Sequence, residues 1–244
     1  MKRKLFFYFV FLSILFGSGC TKDDPSDPID PKVQLDNLYQ TAVEDAITAD
    51  SSEICDSLWQ INSSNTKLEW KTINNEVYVL LGNFNKYPNS YSDTLVINSW
   101  GQIWVFIPEQ FKLRLKSATI PENDTLLRIS QLLGMPPTST NNYIVELWVK
   151  PADLYRPAAD PEIDDRTTGL YLPENAEPDY AQWFNQNIYD SYFGQWTHYP
   201  WTRLGYTYDW AYPATEIGLS EYCIKTNSVL FVKKLCLAPK YLNN

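Results

Sequence analysis

The chain has 244 residues, of which 44% are hydrophobic and 15% aromatic; this suits a packed core and excludes an intrinsically disordered chain. Its formal net charge of −9 disfavours nucleic-acid binding, because that function needs a basic surface to displace the counterions of the phosphate backbone. Sixteen prolines against nine glycines predict a fold with many rigid turns and loops.

The first nineteen residues have the pattern of a secretory signal peptide. A positive start, "MKRK", is followed by twelve apolar residues that are too few for a membrane-spanning helix, and then by small residues before Cys20. Small residues before a cysteine resemble the processing site of bacterial lipoproteins, although Gly17 stands where that site normally has an apolar residue. The resemblance implies a signal peptide over residues 1–19 and lipidation of Cys20.

The segment after Cys20 is acidic and rich in proline, and it predicts a flexible tether over residues 20–33. Within it, Lys22, Asp23 and Asp24 resemble the export signal of surface lipoproteins in the Bacteroidota, whereas a generic acidic tether would have the same composition. The resemblance implies a lipid anchor in the cell outer membrane, with the protein facing the exterior. Because an acidic chain is repelled by anionic headgroups, the lipid must supply the anchoring.

The remaining residues, 34–244, predict a single globular domain that begins with a helix over 35–49. "KLEWKTINNEVYVLLG" predicts two strands around a turn at Asn74 and Asn75, residues that tolerate the left-handed backbone. "DTLVINSWGQIWVFIP" predicts a second hairpin around Gly101. Its later strand is apolar on both faces and is therefore expected at the centre of the sheet.

Three helices and three strands are predicted in the rest of the chain. "PEQFKLRLKS" predicts a helix that begins at Pro108, and "ENDTLLRISQLLGMPP" predicts one capped by Asn123 or Asp124 and ended by Gly134. "YIVELWV" predicts a strand, and "DYAQWFNQNIYDSYF" a helix after an irregular proline-rich segment. "IGLSEYCIK" and "SVLFVKKL" predict a final hairpin with its turn near Asn227.

Helices and strands without a strict alternation predict an α+β domain with a mainly antiparallel sheet, several helices and many loops. Cys55, Cys223 and Cys236 remain after Cys20, and outside the cytoplasm they allow one disulfide bond of any pairing. Three buried free thiols are an equal alternative.

Residues 194–213, "GQWTHYPWTRLGYTYDWAYP", contain three tryptophans, four tyrosines and the only histidine of the chain. Apolar residues at alternate positions from Leu204 to Trp210 predict an extended segment that packs into the core. The first half of the stretch lacks that regularity and predicts an exposed platform for a glycan or an extended peptide. The residues predicted to bind the ligand are Trp196, His198, Tyr199 and Trp201.

"DPEIDD" places Asp160, Glu162 and Asp164 at alternate positions, a spacing at which oxygen ligands can bind Ca²⁺. The segment does not match an EF-hand loop, because Asp165 stands at the sixth position and Tyr171 at the twelfth. The alternative is a solvated acidic loop. Calcium is the only cofactor for which the sequence offers a candidate site, and otherwise none is predicted.

Catalysis has weaker candidates. "GLSEY" lacks the second glycine of a nucleophile elbow, so Ser220 is not predicted to be a nucleophile, and a lone histidine such as His198 is more often structural. A glycosidase needs only two facing acids and aromatic residues. The acids that could form such a pair are Asp209, Glu216, Glu221, Glu162 and Asp164.

Three "DSL" or "DTL" triplets resemble the acceptor motif for O-glycosylation in secreted Bacteroidota proteins, which implies modification at Ser57, Thr94 and Thr125. "RISQLLGMPP", "ELWVKPADLYRPAADPEI" and "PWTRLGYTYDW" resemble uncharacterised secreted proteins of that group. The sequence therefore favours a non-catalytic surface lipoprotein that binds an extracellular glycan, in preference to a peptide, through aromatic side chains. A carboxylate-dependent hydrolase and a structural subunit of a cell-envelope assembly are the alternatives.

Overall fold

The computed structural model describes residues 30–117, 124–211 and 215–242. Within these ranges five helices accompany one nine-stranded antiparallel sheet, which confirms the predicted α+β fold with a mainly antiparallel sheet. The predicted lipidation site Cys20 and the export signal from Lys22 to Asp24 lie outside the described residues, as does Asn123. In the described part of the chain, no helix combines the length and the apolar character needed to cross a membrane.

The helices are α1 (Pro31–Ala46), α2 (Pro108–Lys116), α3 (Thr125–Leu132), α4 (Pro178–Tyr192) and α5 (Ala238–Tyr241). The strands are β1 (Trp70–Ile73), β2 (Glu76–Asn85), β3 (Leu95–Ile97), β4 (Ile103–Phe106), β5 (Tyr143–Val149), β6 (Leu154–Tyr155), β7 (Tyr206–Tyr208), β8 (Ile217–Ile224) and β9 (Val229–Leu237). Helices α1, α2 and α4 begin at a proline, which lacks the N–H that a first helical turn leaves unpaired. Residues 31–33, predicted as the end of the tether, form the first turn of α1.

The hairpin of β1 and β2 confirms the prediction for Asn74 and Asn75. Both residues have positive φ, 52° and 64°, and Ile73 pairs with Glu76 across them. This is a two-residue turn whose backbone twist matches that of the strands it joins.

The other two predicted hairpins are wrong. β3 pairs with β9 and β4 pairs with β8, so the sheet order is β3-β9-β5-β2-β4-β8-β6, with β1 on β2 and β7 on β8. The buried residue Asn98 accounts for the exchange, because its Nδ2 donates to the carbonyls of both Gly101 and Lys225 at 3.0 Å. Asn98 N–H also donates to Ser228 O at 3.3 Å. The two connecting turns therefore bind each other instead of closing hairpins of their own.

The sheet carries apolar side chains on both faces. On one face Ile103 and Val105 of β4 join a large core cluster with residues of β2, β5, β8 and β9. On the other face Phe106 packs with Phe111 of α2 and Ile129 of α3. Because β4 lies between β2 and β8 and is buried on both faces, its predicted central position is confirmed.

All three cysteines in the described residues are free thiols. Cys223 lies on β8 and is fully buried, Cys236 lies on β9 and is half-buried, and Cys55 is buried beside Ser57. β8 and β9 are not neighbours in the sheet, so the pairing that a terminal hairpin would favour does not arise.

Candidate functional site

Trp201 was expected in the exposed platform, and that expectation is wrong. Its side chain is only 5% exposed, and its ring lies edge-on to Phe184 of α4 at 5.2 Å and to Trp104 of β4 at 6.2 Å. The indole N–H donates to Pro157 O at 3.1 Å. A buried Trp needs a partner for this N–H, and having one here makes Trp201 a core residue that no ligand can stack on.

The strand half of the aromatic stretch packs inward as predicted. Leu204, Tyr206 and Trp210 are buried, and β7 pairs with β8 through Tyr206. Tyr208 is partly exposed, and its hydroxyl donates to Asp45 Oδ2 at 2.8 Å. Tyr208 and Trp210 pack against α1, whereas Leu204 and Tyr206 pack against Cys55 and Leu58.

Trp196 and Tyr199 remain at the surface, and two further aromatic residues join them. The exposed fractions are 53% for Tyr189, 57% for Phe193, 83% for Trp196 and 39% for Tyr199. Tyr189 lies in the last turn of α4, and the other three follow that turn within seven residues. We call these four residues the aromatic patch.

Hydrogen bonds fix the loop that carries the aromatic patch. The N–H groups of Phe193 and Gly194 both donate to Tyr189 O, at 2.8 and 2.9 Å, which closes the end of α4. Tyr199 N–H donates to Ser191 O at 3.0 Å and so returns the chain to the same helical turn. The backbone beneath the four rings is therefore held in place by the helix end.

His198 supports this loop from within. One ring nitrogen, Nε2, lies 2.9 Å from Gly194 O, and because a carbonyl can only accept, that nitrogen carries the proton. The backbone carbonyl of His198 accepts a 2.8 Å hydrogen bond from the hydroxyl of Tyr39 in α1. His198 was predicted as a ligand contact, and the geometry gives it a part in shaping the loop.

Tyr189 and Phe193 were missed by the sequence analysis. Their signal is their spacing of four residues, which puts them together on a helix face distinct from the apolar face that contains Phe184 and Ile188. The sequence analysis considered only the inward face of α4 and looked for ligand contacts only in residues 194–213. An aromatic pair outside the inward face was a usable sign of an exposed surface.

The predicted calcium ligands do not converge. Glu162 and Asp164 are exposed, and Asp160 Oδ1 accepts from the N–H of Glu162 at 3.1 Å, a local turn contact. The neighbouring Asp165 instead forms an ion pair with the fully buried guanidinium of Arg156. Among the described residues, Asp160, Glu162 and Asp164 do not form a group close enough to share an ion. Calcium binding at these three acids stays a prediction.

A different group of acids comes together in the described residues. Carboxylate oxygens of Asp45, Glu53 and Glu216 all lie within 4.8 Å of one another. Burial, and then the charges of Glu53 and Asp45, raise the pKa of Glu216 above its ordinary value. Oxygen ligands suit a hard cation, but the gap between Glu53 and Glu216 measures only about 10 Å³.

Two of the five acids considered for a hydrolase, Asp209 and Glu221, are buried. Asp209 accepts from both terminal nitrogens of Arg128, at 2.8 and 2.6 Å, and its side chain has no exposed surface. Glu221 is 7% exposed, and its Oε1 has no hydrogen-bond partner among the described residues. Burial raises the pKa of Glu221 to about 8. Neither of these two carboxylates faces a surface that a sugar could reach.

The three residues of the O-glycosylation triplets differ in exposure. Ser57 and Thr94 are exposed, whereas Thr125 at the beginning of α3 is half-buried. Leu126, which completes the third triplet, packs against the core beneath the helices. Ser57 and Thr94 are therefore the accessible acceptors of the three.

Comparisons with protein-family models, with curated proteins and with solved structures found no match to this chain.

Proposed function

We propose that this protein is a lipoprotein anchored through Cys20 in the cell outer membrane, facing the exterior, and that it binds an extracellular glycan through the aromatic patch. The observation that carries the proposal is the exposure of four aromatic side chains on one helix end and its loop. Four exposed aromatic side chains within eleven residues of chain are an unusual concentration, and such concentrations are characteristic of binding surfaces.

The chemistry around the patch favours a glycan over a charged partner. Gln195 and Thr197 are exposed beside Trp196 and supply an amide and a hydroxyl for sugar hydroxyl groups. From Tyr189 to Tyr199 the chain carries one acid, Asp190, whose Oδ1 accepts from Gln186 Nε2 at 2.9 Å, and one histidine, His198, whose ring is engaged with the loop. Flat rings with uncharged polar neighbours suit the faces and rims of sugar rings.

The fixed backbone of the loop also supports binding. Aromatic side chains have few rotatable bonds, so they lose little conformational entropy when a ligand covers them. Since the loop is already held to the last turn of α4, ligand binding need not order it. A peptide, or another protein of the cell envelope, would use the same surface in the alternative functions.

A glycan array and a peptide array probed with the full-length protein in detergent test the proposal. We expect binding to one or more glycans, and we expect Trp196→Ala to weaken it at least tenfold, because a stacked aromatic anchor carries much of the binding energy of a small interface. The matched control is Trp100→Ala, which removes a half-exposed Trp from the turn between β3 and β4. This control should bind as the wild type does.

Three outcomes would contradict the proposal: no binding to any glycan on the array, binding to peptides alone, or an equal loss of glycan affinity in Trp196→Ala and Trp100→Ala. Binding to peptides alone would favour the envelope-subunit function.

The anchor is tested separately on intact cells. We expect external protease to release the domain, and we expect a Lys22/Asp23/Asp24 triple alanine variant to be protected. Equal release of both proteins would refute the export signal and leave glycan binding as a separate question.

A further inference from the structure

A cavity of about 270 Å³ lies between α2, residues 55–59 and the first half of β8, and it shares no residue with the aromatic patch. Leu113 at its wall is exposed and the Arg114 side chain is 37% exposed, so the cavity is reached from solvent. Its size is just below the range of pockets for drug-sized ligands, which suits a compact molecule.

Arg114 gives the cavity an incompletely neutralised positive charge. Its NH2 donates to Ile217 O at 2.7 Å and lies 3.7 Å from Asp209 Oδ2, beyond good hydrogen-bond distance. Both oxygens of Asp209 already accept from Arg128. Two guanidinium groups therefore share one carboxylate, and Arg114 keeps donors available for an anion.

Among the described residues, Asp209 is the only acid that forms an ion pair with Arg114. Glu216 precedes Ile217, but it lines the separate small gap together with Glu53. The pKa of Glu216 is raised, first by burial and then by neighbouring acids, as expected for a carboxylate that repels like charges.

Ser220 supplies a hydroxyl donor at the same wall. Its Oγ accepts from the N–H of Trp59 at 2.7 Å and from Gln110 Nε2 at 3.3 Å, and Gln110 Oε1 accepts from Ser220 N–H at 3.0 Å. Both lone pairs of Oγ are thus occupied, and its proton has no acceptor among the described residues. The Ser220 hydroxyl is therefore available to donate to an acceptor that enters the cavity.

We infer that this cavity is a binding site for a small organic carboxylate that carries hydroxyl groups. Arg114 would pair with the carboxylate, and the Ser220 hydroxyl would donate to a ligand oxygen. The rings of Trp59 and Tyr206 and the side chain of Leu113 line the cavity for the carbon skeleton. This inference is independent of glycan binding at the aromatic patch.

Alkylation of Cys55 provides the test on the full-length wild-type protein in detergent. Cys55 lines the cavity, whereas Cys236 lies on β9 beneath α5 and serves as an internal control in the same sample. The probes are lactate, gluconate and galacturonate, with glycerol, glucose and galactose as neutral counterparts. Peptide-resolved mass spectrometry follows the reaction of each thiol with iodoacetamide.

We expect at least one carboxylate to slow alkylation of Cys55 at least fivefold, with half-maximal protection at or below about 1 mM. The neutral counterparts should leave Cys55 unprotected, and Cys236 should react at the same rate throughout. If no carboxylate protects Cys55, or if the neutral molecules protect it equally, the inference is wrong.

Variants of α2 then locate the charge, with binding of the protective carboxylate measured by calorimetry. Arg114→Met should weaken binding about tenfold to a hundredfold, because it removes a charge-assisted hydrogen bond. Lys116→Met makes the same charge change at an exposed position of the same helix and should bind as the wild type does. Equal losses in the two variants, or none in Arg114→Met, would overturn the inference.

A second variant covers the case in which Arg114→Met does not fold. Leu113→Trp enlarges a wall residue without touching the hydrogen bond to Ile217 O, and it should abolish protection of Cys55. Full protection in Leu113→Trp would place the bound carboxylate elsewhere and refute the site.

Discussion

The two halves of the aromatic stretch have similar compositions and opposite environments. Because Trp201 is buried, we count it with the strand half, which then spans residues 201–210 and also contains the buried Tyr206 and Trp210. In the loop half, residues 194–199, Trp196 and Tyr199 are exposed. The difference follows the backbone. The strand half pairs with β8, while the loop half bonds back to the last turn of its own helix. A high content of aromatic residues therefore does not by itself tell whether a segment lies in the core or at the surface.

The polar residues of the two halves differ in the same way. In the strand half Thr207 Oγ1 donates to Leu132 O at 2.6 Å, and Asp209 forms its ion pair with Arg128. In the loop half the side chains of Gln195 and Thr197 are exposed to solvent. Buried polar groups must be paired, so the strand half is fixed by packing and hydrogen bonds together, and the loop half is free to offer its polar groups to a ligand.

The largest expected effect comes from removing one tryptophan from each half. Trp201→Ala should lower the free energy of unfolding by about 3–5 kcal/mol, because it leaves a cavity among Trp104, Trp183 and Phe184 and orphans the carbonyl of Pro157. Trp196→Ala should change it by less than about 0.5 kcal/mol, as expected at an exposed site. Urea denaturation followed by circular dichroism measures both.

The difference between the two variants in the free energy of unfolding tests whether the loop half belongs to the core. If Trp196→Ala destabilised the protein as much as Trp201→Ala, the loop half would be part of the core, and the proposal that it binds a ligand would be wrong.

The next effect is a pH dependence located beside the strand half. Glu221 N–H donates to Gly205 O, and burial raises the pKa of its carboxyl from 4.5 to about 8. Between these values the unfolded chain has lost the proton and the folded chain has kept it. Stability should therefore fall as the pH rises, by about 1.4 kcal/mol per pH unit, and it should level off above about pH 8. From pH 4.5 to 6.5 this amounts to about 2 kcal/mol, because the unfolded carboxyl is already half ionised at pH 4.5.

Glu221→Gln should remove this component, because the amide is neutral at every pH in the window. Urea denaturation at pH 4.5, 6.5 and 8.5 should show the variant gaining on the wild type as the pH rises. Glu162→Gln removes the same charge from an exposed loop position and should follow the wild type within about 0.5 kcal/mol. A parallel pH profile for wild type and Glu221→Gln would show that the carboxyl ionises freely in the folded protein.

How far the sequence predicted this molecule depends on how local each signal is. The Asn74–Asn75 turn is a local signal, and its prediction is confirmed. The segment from Leu204 to Trp210 packs into the core as predicted, but Thr207 and Asp209 at the intervening positions are buried as well, so both faces are covered. The hairpins of β3 with β4 and of β8 with β9 are wrong, since the deciding bonds of Asn98 join turns that are about 127 residues apart. Side-chain spacing cannot report such a contact.

The candidate sites show the same limit. Trp196 and Tyr199 were predicted at the surface from their irregular spacing, and they are exposed. Asp45, Glu53 and Glu216 were not predicted as a group, because they come from α1, the turn after it and the beginning of β8. Charges so far apart in the chain meet only through the tertiary fold, whereas the acids of "DPEIDD" are adjacent in sequence and one of them, Asp165, pairs with the buried Arg156.

Tyr39 connects the two halves, and its removal should give the smallest effect on stability. Its ring lies edge-on to Trp210 of the strand half at 5.5 Å, and its hydroxyl donates to His198 O of the loop half. Tyr39→Phe keeps the ring contact and deletes the hydrogen bond, so the free energy of unfolding should fall by about 1 kcal/mol. Amide hydrogen exchange should become faster at residues 194–199 and stay unchanged in β7, because the hydroxyl bonds the loop at 2.8 Å and its longer contact, 3.5 Å to Gly134 O, also lies outside β7. Tyr189→Phe removes a hydroxyl from an exposed ring and serves as the control. Faster exchange in β7 as well would mean that the two halves open together, and the loop would then be an extension of the core and not an independent platform.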